Sequence, residues 1–178
     1  MRESRNLSLE ELAERANLKV DGIEKIENGE LIPGLTPLLK IARALGVRLG
    51  TFLDDQQEIG PVITGKDEKK SITRFSDKDN PCRSDLDFYS LALNKSGRHM
   101  EPFMIDIFPS SETDYRLSSH EGEEFIFVMK GEIEVIYGKD TFMVKEGESI
   151  YYDSIVKHHV HSHGTEAAKI LAVVYAPF

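Results

Sequence analysis

Apolar residues within the first 55 positions recur every three or four residues, the period of a helix with one buried face. The first run follows Ser8, and Ser8 with Glu11 three positions later has the pattern of a capping box, which predicts a helix start. Asn17 is expected to end this helix. Later runs predict further helices, which lie around Ile23 and Ile26 up to Gly29, from Thr36-Pro37 to Gly46, and around Leu49–Leu53.

The periodicity changes beyond residue 55. Residues 56–75 are polar and contain Gly60-Pro61 and Gly65, which indicates a linker. Residues 76–178 carry short runs rich in β-branched and aromatic residues, separated by glycines or charged pairs, which predicts an all-β sandwich or barrel. The fold class is therefore predicted as α + β with two domains, an all-α domain at 1–55 and an all-β domain at 76–178. The predicted strands are Phe103–Phe108, Glu124–Met129, Glu132–Tyr137, Thr141–Val144, Ser149–Tyr152 and Lys169–Tyr175.

Composition and charge narrow the class of protein. The 178 residues carry a net charge of −9, which argues against a general nucleic-acid binder. Residues 1–55 hold 8 Lys/Arg and 10 Asp/Glu, so most of the acidic excess lies in the second domain. The single cysteine, Cys82, excludes an intramolecular disulfide. The charged N-terminal stretch and the lack of an apolar run of about 20 residues lead us to expect a cytoplasmic protein without a membrane span.

The helical half resembles the Cro/repressor-like (XRE) helix-turn-helix family. The resemblance rests on the segment from Ser8 to Gly29, which closes with Ile26-Glu-Asn-Gly29, and on Leu38-Leu-Lys-Ile-Ala-Arg-Ala-Leu-Gly46. It implies that Lys19–Asn28 is a recognition helix laid in the major groove of a double-stranded DNA operator. The family has a full helix before Arg5, and this chain supplies about five residues of it, so the first helix is expected to be truncated. The residues expected to contact DNA are Lys19, Val20, Asp21, Gly22, Lys25 and Asn28.

The chemistry of this recognition helix leaves an alternative open. Val20 offers only apolar contact, for instance to a thymine methyl group. Asp21 and Glu24 would repel phosphates unless a cytosine amino group or a neighbouring lysine engages them. A helical domain kept for dimerisation, or for lining a pocket of the second domain, is the competing interpretation.

The second half resembles the cupin family, whose fold is a double-stranded β-helix barrel. Ser118 to Gly131 resembles the first cupin motif, and Gly147 to His158 resembles the second. Many metal-binding cupins have a histidine where Ser118 stands here. The resemblance leaves His120, Glu124 and His158 as a metal-ligand set for one divalent transition metal, which would be iron, manganese, nickel or zinc.

The same residues permit a second interpretation without metal. A histidine and a glutamate inside a barrel can hydrogen-bond each other and bind a polar ligand directly. Ser118 and Tyr151 are expected to line the ligand pocket. The neighbouring histidines of the second motif, His159, His161 and His163, would point away from His158 on a strand and are expected to be exposed to solvent.

Two functions follow from these resemblances. The first is a DNA-binding transcriptional regulator whose cupin domain binds a small-molecule or metal effector. Such a protein would act as a homodimer on a pseudo-palindromic operator. The second is a mononuclear non-haem iron oxygenase that resembles hydroxypropylphosphonate epoxidase, a group with the same domain order. Its ligand pattern of a His, a Glu four residues later and a distant His is that of His120, Glu124 and His158.

Overall fold

The computed structural model of the protein describes residues 1–53, 60–65, 86–95, 97–109, 115 and 117–177. The predicted domain boundary at residue 55 and most of the predicted linker at 56–75 lie outside these residues. Helices come first along the chain and antiparallel strands follow, so the predicted α + β fold class is confirmed. None of the helices in the described ranges combines the length and hydropathy that a bilayer crossing requires.

The N-terminal part is a small bundle of helices. A 3-10 turn over Glu3–Arg5 precedes α1 (Leu9–Ala16), α2 (Val20–Glu27), α3 (Leu35–Ala44) and α4 (Gly50–Leu53). The Ser8–Glu11 capping box is present in both directions, and Asn17 ends α1 in a left-handed conformation, as predicted. The predicted start of α3 was late, because the helix begins at Leu35 after Gly34. Pro37 is tolerated at the third position since first-turn N–H groups need no partner within the helix.

The C-terminal part consists of two antiparallel sheets. One has the strand order β1-β2-β8-β3-β6 and the other has the order β5-β4-β7. Strands β1 and β7 were not among the predicted runs. The strands are β1 (Leu86–Ser90), β2 (Met100–Ile107), β3 (Glu123–Lys130), β4 (Glu132–Tyr137), β5 (Asp140–Lys145), β6 (Ser149–Asp153), β7 (His158–Ser162) and β8 (Ala168–Tyr175).

The two halves share apolar packing. Alternate residues of β2, β3, β4 and β8 are buried, which fills the space between the sheets. Leu38, Leu39, Leu49 and Leu53 belong to this same cluster, so α3 and α4 pack against the barrel. A second cluster, which includes Leu12, Ile23 and Ile41, holds α1, α2 and α3 together. Helix α3 is therefore the element that joins the bundle to the barrel.

Candidate metal centre

Three residues from different backbone segments meet inside the barrel. Glu124 lies on β3 of the five-stranded sheet, and His158 begins β7 of the three-stranded sheet. His120 lies in the turn before β3 and not on the strand itself. All three are buried, with 8%, 9% and 3% exposure for His120, Glu124 and His158. The structure thus brings the three predicted ligand residues together.

The ligand atoms of this set lie close enough to share one ion. One nitrogen of each imidazole and one carboxylate oxygen are all within 4.8 Å of one another. His120 Nε2 is 2.8 Å from Glu124 Oε1, and His158 Nε2 is 3.4 Å from the same oxygen. The two imidazole rings stand almost perpendicular, at 83°, with centroids 5.5 Å apart. Two imidazoles and one carboxylate are the donors of the facial triad that holds non-haem Fe(II) with open positions.

The hydrogen bond made by Nδ1 of each imidazole determines whether Nε2, which faces Glu124, carries a proton or a lone pair. His120 Nδ1 lies 3.1 Å from the carbonyl oxygen of Glu121, and His158 Nδ1 lies 2.8 Å from that of Val156. A carbonyl only accepts, so each Nδ1 carries the proton when these bonds form. Each Nε2 then turns either a lone pair or a second proton towards Glu124. A lone pair against a carboxylate is repulsive, so the site favours positive charge between these groups. Protonated imidazoles can supply this charge, and a divalent metal also fits the donor set.

The carboxylate of Glu124 is itself held by two hydroxyl groups. Tyr152 donates to Oε2 at 2.7 Å, and Ser154 donates to Oε1 at 3.3 Å. Burial alone would raise the pKa of Glu124, but the facing imidazoles of His120 and His158 hold that pKa well below its usual value. Burial and the nearby charge of Glu124 raise the pKa of Tyr152 far above that of an ordinary tyrosine. Glu124 therefore stays ionised and Tyr152 stays a neutral donor.

The prediction that Tyr151 lines the pocket was wrong. In the β3–β6 pair, Tyr151 lies opposite Phe125, whereas Tyr152 lies opposite Glu124. Residues directly opposite each other in an antiparallel pair share a face of the sheet, so Tyr152 points inward and Tyr151 points outward. Tyr151 is 62% exposed and donates to the surface carboxylate of Glu123. The register between β3 and β6 therefore decides which of the two tyrosines faces Glu124.

The turn that carries His120 depends on a glycine. Gly122 has a φ of 108°, in a region that favours glycine. A Cβ at this position would lie 1.9 Å from the carbonyl oxygen of Tyr175 at the end of β8. The backbone of Ser154 makes two hydrogen bonds to the turn, because its carbonyl accepts from His120 N and its N–H donates to Gly122 O. Close backbone approach at Gly122 thus places His120 against Glu124.

The other histidines of the second motif differ from expectation. They lie on the opposite face from His158, as predicted, but only His163 is exposed, while His161 is buried at 8% exposure. The cause is Tyr115, whose ring stacks on His159 and His161 with centroids 4.6 and 4.2 Å away. These imidazoles therefore form an aromatic stack outside the barrel.

The predicted DNA-contact residues lie on the outer surface of the helical bundle. Lys19, Val20, Asp21, Lys25 and Asn28 are exposed, and Gly22 is half-buried. Ser118, the other predicted pocket residue, is half-buried and lines a cleft between the bundle and the barrel. Its hydroxyl donates to the carbonyl oxygen of His158, so it supports the strand that carries a metal-ligand candidate.

Comparisons with known proteins support both halves of this fold. A helix-turn-helix family model matches residues 1–52, and a cupin domain model matches residues 104–174. The (S)-2-hydroxypropylphosphonic acid epoxidase of Streptomyces wedmorensis is 30% identical over 166 residues, which cover 84% of this chain and 77% of that protein. The chain belongs to the helix-turn-helix cupin family that contains this epoxidase.

Solved structures of similar proteins span almost the whole chain. A crystal structure of an HTH_3 family transcriptional regulator from Vibrio cholerae has a TM-score of 0.71 at 23% identity and covers 99% of this chain and 91% of its own. The Fe(II) form of HppE, a hydroxypropylphosphonic acid epoxidase, has a TM-score of 0.54 at 26% identity and covers 98% of this chain and 93% of its own. The family thus includes a protein solved with iron, and the His–Glu–His set of this member fits a divalent transition metal.

Proposed function

We propose that this member of the family is a DNA-binding transcriptional regulator whose cupin domain binds a divalent metal and a small-molecule effector. The observation that carries the proposal is the surface of α2. Its apolar residue Ile23 is buried in the bundle, whereas five of the six predicted DNA-contact residues are exposed. Helices α3 and α4 supply the leucines that pack on the barrel, which leaves the recognition surface of α2 available to DNA.

Ion pairs within the bundle moderate the acidity of α2. Lys25 lies 3.0 Å from Asp21, and Arg2 makes two hydrogen bonds of 2.8 Å to Glu27. These pairs neutralise two of the carboxylates that would repel phosphates. Lys19 and Asn28 then supply the polar groups for contacts to DNA. With so few cations on this surface, we expect a shallow dependence of affinity on salt.

The metal centre provides the sensing half of the proposal. His120, Glu124 and His158 would hold the ion, and a bound divalent metal would supply a Lewis-acidic centre with coordination positions open to an effector. Tyr152 and Ser154 orient the carboxylate for this task. The proposed assembly is a homodimer, because a two-fold protein reads a pseudo-palindromic operator with half-sites about one helical turn apart.

Selection of genomic fragments by the full-length protein tests this function. We expect a small set of related sequences to be enriched, and Lys19→Gln and Asn28→Ala to weaken binding to them. Lys139→Gln, which removes a cation from an exposed turn of the barrel, is the matched control and should bind as the wild type does. Binding without sequence preference, or equal loss in the control, would remove the regulator interpretation.

A mononuclear iron oxygenase is the second candidate. It is favoured by the 30% identity with the (S)-2-hydroxypropylphosphonic acid epoxidase and by the His–Glu–His set of this chain, whose donors are those of the facial triad. The iron-loaded protein should then consume oxygen when (S)-2-hydroxypropylphosphonate is added, and Glu124→Gln should not. An absence of substrate-dependent oxygen consumption by protein with a full iron content would reject this candidate.

A further inference from the structure

We propose that the outer face of the three-stranded sheet holds a second metal site, which takes a divalent ion such as Zn²⁺ and is formed by Glu134, His161 and His163. Glu134 lies on β4, and His161 lies directly opposite it on β7. His158 stands three residues before His161, so these two side chains point to opposite faces of the strand. The proposed outer site is therefore separate from the metal centre inside the barrel and does not depend on it.

The pairing of β4 with β7 places these three residues on one surface. Residues directly opposite each other in an antiparallel pair share a face, as Glu134 and His161 do. The N–H of His163 donates to the carbonyl of Glu132 at 2.9 Å, which continues the pairing just beyond the end of β7. Residues two apart on an extended chain also share a face, so the imidazoles of His161 and His163 both lie beside Glu134.

Each oxygen of the Glu134 carboxylate faces one of the two imidazoles. Oε1 is 3.5 Å from His161 Nε2, and Oε2 is 3.8 Å from His163 Nδ1. Two ligand atoms of a tetrahedral zinc ion, each bonded at about 2.0–2.1 Å, are separated by about 3.3–3.4 Å. The separations at Glu134 are close to this value. The side chain of His163 is 51% exposed, so rotation of its ring can bring the second imidazole to the ion.

His161 lacks the hydrogen bonds that a buried imidazole normally makes. Its Nδ1 is buried and has no hydrogen-bond partner within the described part of the chain. The distance from its Nε2 to Glu134 exceeds the about 2.7–3.2 Å of an N–H···O hydrogen bond. Among the described residues, no lysine or arginine pairs with Glu134 either. A metal ion bonded to Nε2 of His161 would give a partner to the ring and to the carboxylate together.

The surroundings of His161 prepare its ring for a metal ion. The ring of Tyr115 stacks on it with centroids 4.2 Å apart and planes 23° apart, which restricts the orientation of the imidazole. Burial lowers the pKa of His161 and outweighs the opposing effect of Glu134, so the ring is neutral at pH 7. Neutral imidazole is the form that binds metal. Two imidazoles with one carboxylate are donors that suit Zn²⁺ and leave a position for water.

Zinc titration of the full-length protein, purified without a His tag and measured against a coloured chelator, tests the outer site. The background variant combines His120→Gln with Glu124→Gln, which removes two of the three inner ligand candidates. Because His163 is half-exposed, we expect the outer ion to exchange readily, so that the site is empty until zinc is added. The background variant should then bind one zinc ion per chain.

Substitutions of the outer residues, made in the same background, identify the ligands. Glu134→Gln and His163→Gln should each weaken zinc binding by about tenfold or more, since loss of a ligand costs at least as much as loss of a group that orients one. Neither side chain is fully buried, so both variants should fold. Glu132→Gln is the matched control, because it removes a carboxylate from the same face of β4 two residues away. It should leave zinc affinity unchanged.

Three results would overturn the proposal. The first is a background variant that binds no zinc. The second is unchanged affinity in Glu134→Gln, which would mean that exposed histidines hold the ion adventitiously. The third is an equal loss of affinity in Glu132→Gln. No DNA and no intact inner centre are present in this titration, so its failure would leave the proposed regulator function and the inner metal centre to their own tests.

Discussion

The metal centre of the barrel and the outer surface of α2 differ in how their side chains are held in place. In the barrel, every functional side chain is oriented by a second group: His158 by the Val156 carbonyl, and Glu124 by Tyr152. At the surface of α2, Lys25 is paired with Asp21, whereas Lys19, Val20 and Asn28 are exposed and Gly22 is half-buried. The metal-ligand candidates are preorganised by their neighbours, whereas the proposed DNA-contact residues of α2 would make their contacts only when DNA binds.

Removal of the carboxylate should have the largest effect on this contrast. Glu124→Gln replaces the only anionic ligand candidate of the set with a neutral amide, so we expect the protein to lose nearly all of its bound metal. Metal analysis of protein purified without a His tag measures this. The matched control is Glu123→Gln, which removes the neighbouring carboxylate on the outer face. A wild type without metal, or equal metal content in Glu124→Gln, would contradict the assignment.

The backbone of the His120 turn should show the next largest effect. Gly122→Ala adds a Cβ that meets the carbonyl oxygen of Tyr175, whereas Gly147→Ala adds one in open space at a similarly unfavourable φ. Both variants carry the conformational strain, but only Gly122→Ala carries the clash. We expect its free energy of unfolding to fall by about 1–3 kcal/mol more than that of Gly147→Ala. Urea denaturation decides this, and equal losses would mean that the close approach to β8 is unimportant.

The two adjacent tyrosines of β6 provide a sharper test of preorganisation. Tyr152→Phe removes the hydroxyl that holds Glu124, so metal affinity should fall about 10–100-fold. Tyr151→Phe removes a hydroxyl from the surface and should leave metal affinity unchanged. Competition against a chelator measures both. A loss of affinity in Tyr151→Phe would reverse our placement of these side chains.

The helical half should show the smallest effect. Ser8→Ala removes the side-chain acceptor of the capping box at the start of α1, which should lower the free energy of unfolding by about 1 kcal/mol. Ser4→Ala, in the turn before α1, serves as a control because its hydroxyl bonds only to the nearby Met1 carbonyl. Metal content should be unchanged in both variants. A loss of metal on Ser8→Ala would show that the capping box of α1 supports the metal centre as well as the helix.

Local patterns in the sequence predicted much of the fold. The Ser8 capping box and Asn17 gave the bounds of α1, and the apolar alternation of β4 gave Glu132–Tyr137 without error. Strand β7 was not among the apolar runs because most of its residues, His158–Ser162, are polar, and only the second cupin motif led us to expect His158 on a strand. The outer face of this strand is covered by Tyr115, which comes from a distant part of the chain, so the burial of its histidines leaves no apolar pattern in the local sequence.

The site was predicted less completely than the fold. His120, Glu124 and His158 came from the spacing of two motifs. The choice of Tyr151 over Tyr152 failed because it depended on the register between β3 and β6, which a single sequence does not specify. The cleft between the bundle and the barrel was anticipated only by the alternative that the helical domain lines a pocket of the second domain, and its residues were not predicted. Arg15 and Lys40 lie on different helices, and only the packing of α3 against the barrel brings them beside His120.

We propose that metal binding in the barrel controls DNA binding by the helical half. Fluorescence anisotropy with a selected operator fragment, on metal-loaded and chelator-treated full-length protein, measures this effect. We expect the dissociation constant to differ at least severalfold between the two forms, and the difference to disappear in Glu124→Gln. Identical affinities of the metal-loaded and metal-free wild type for the operator would contradict it.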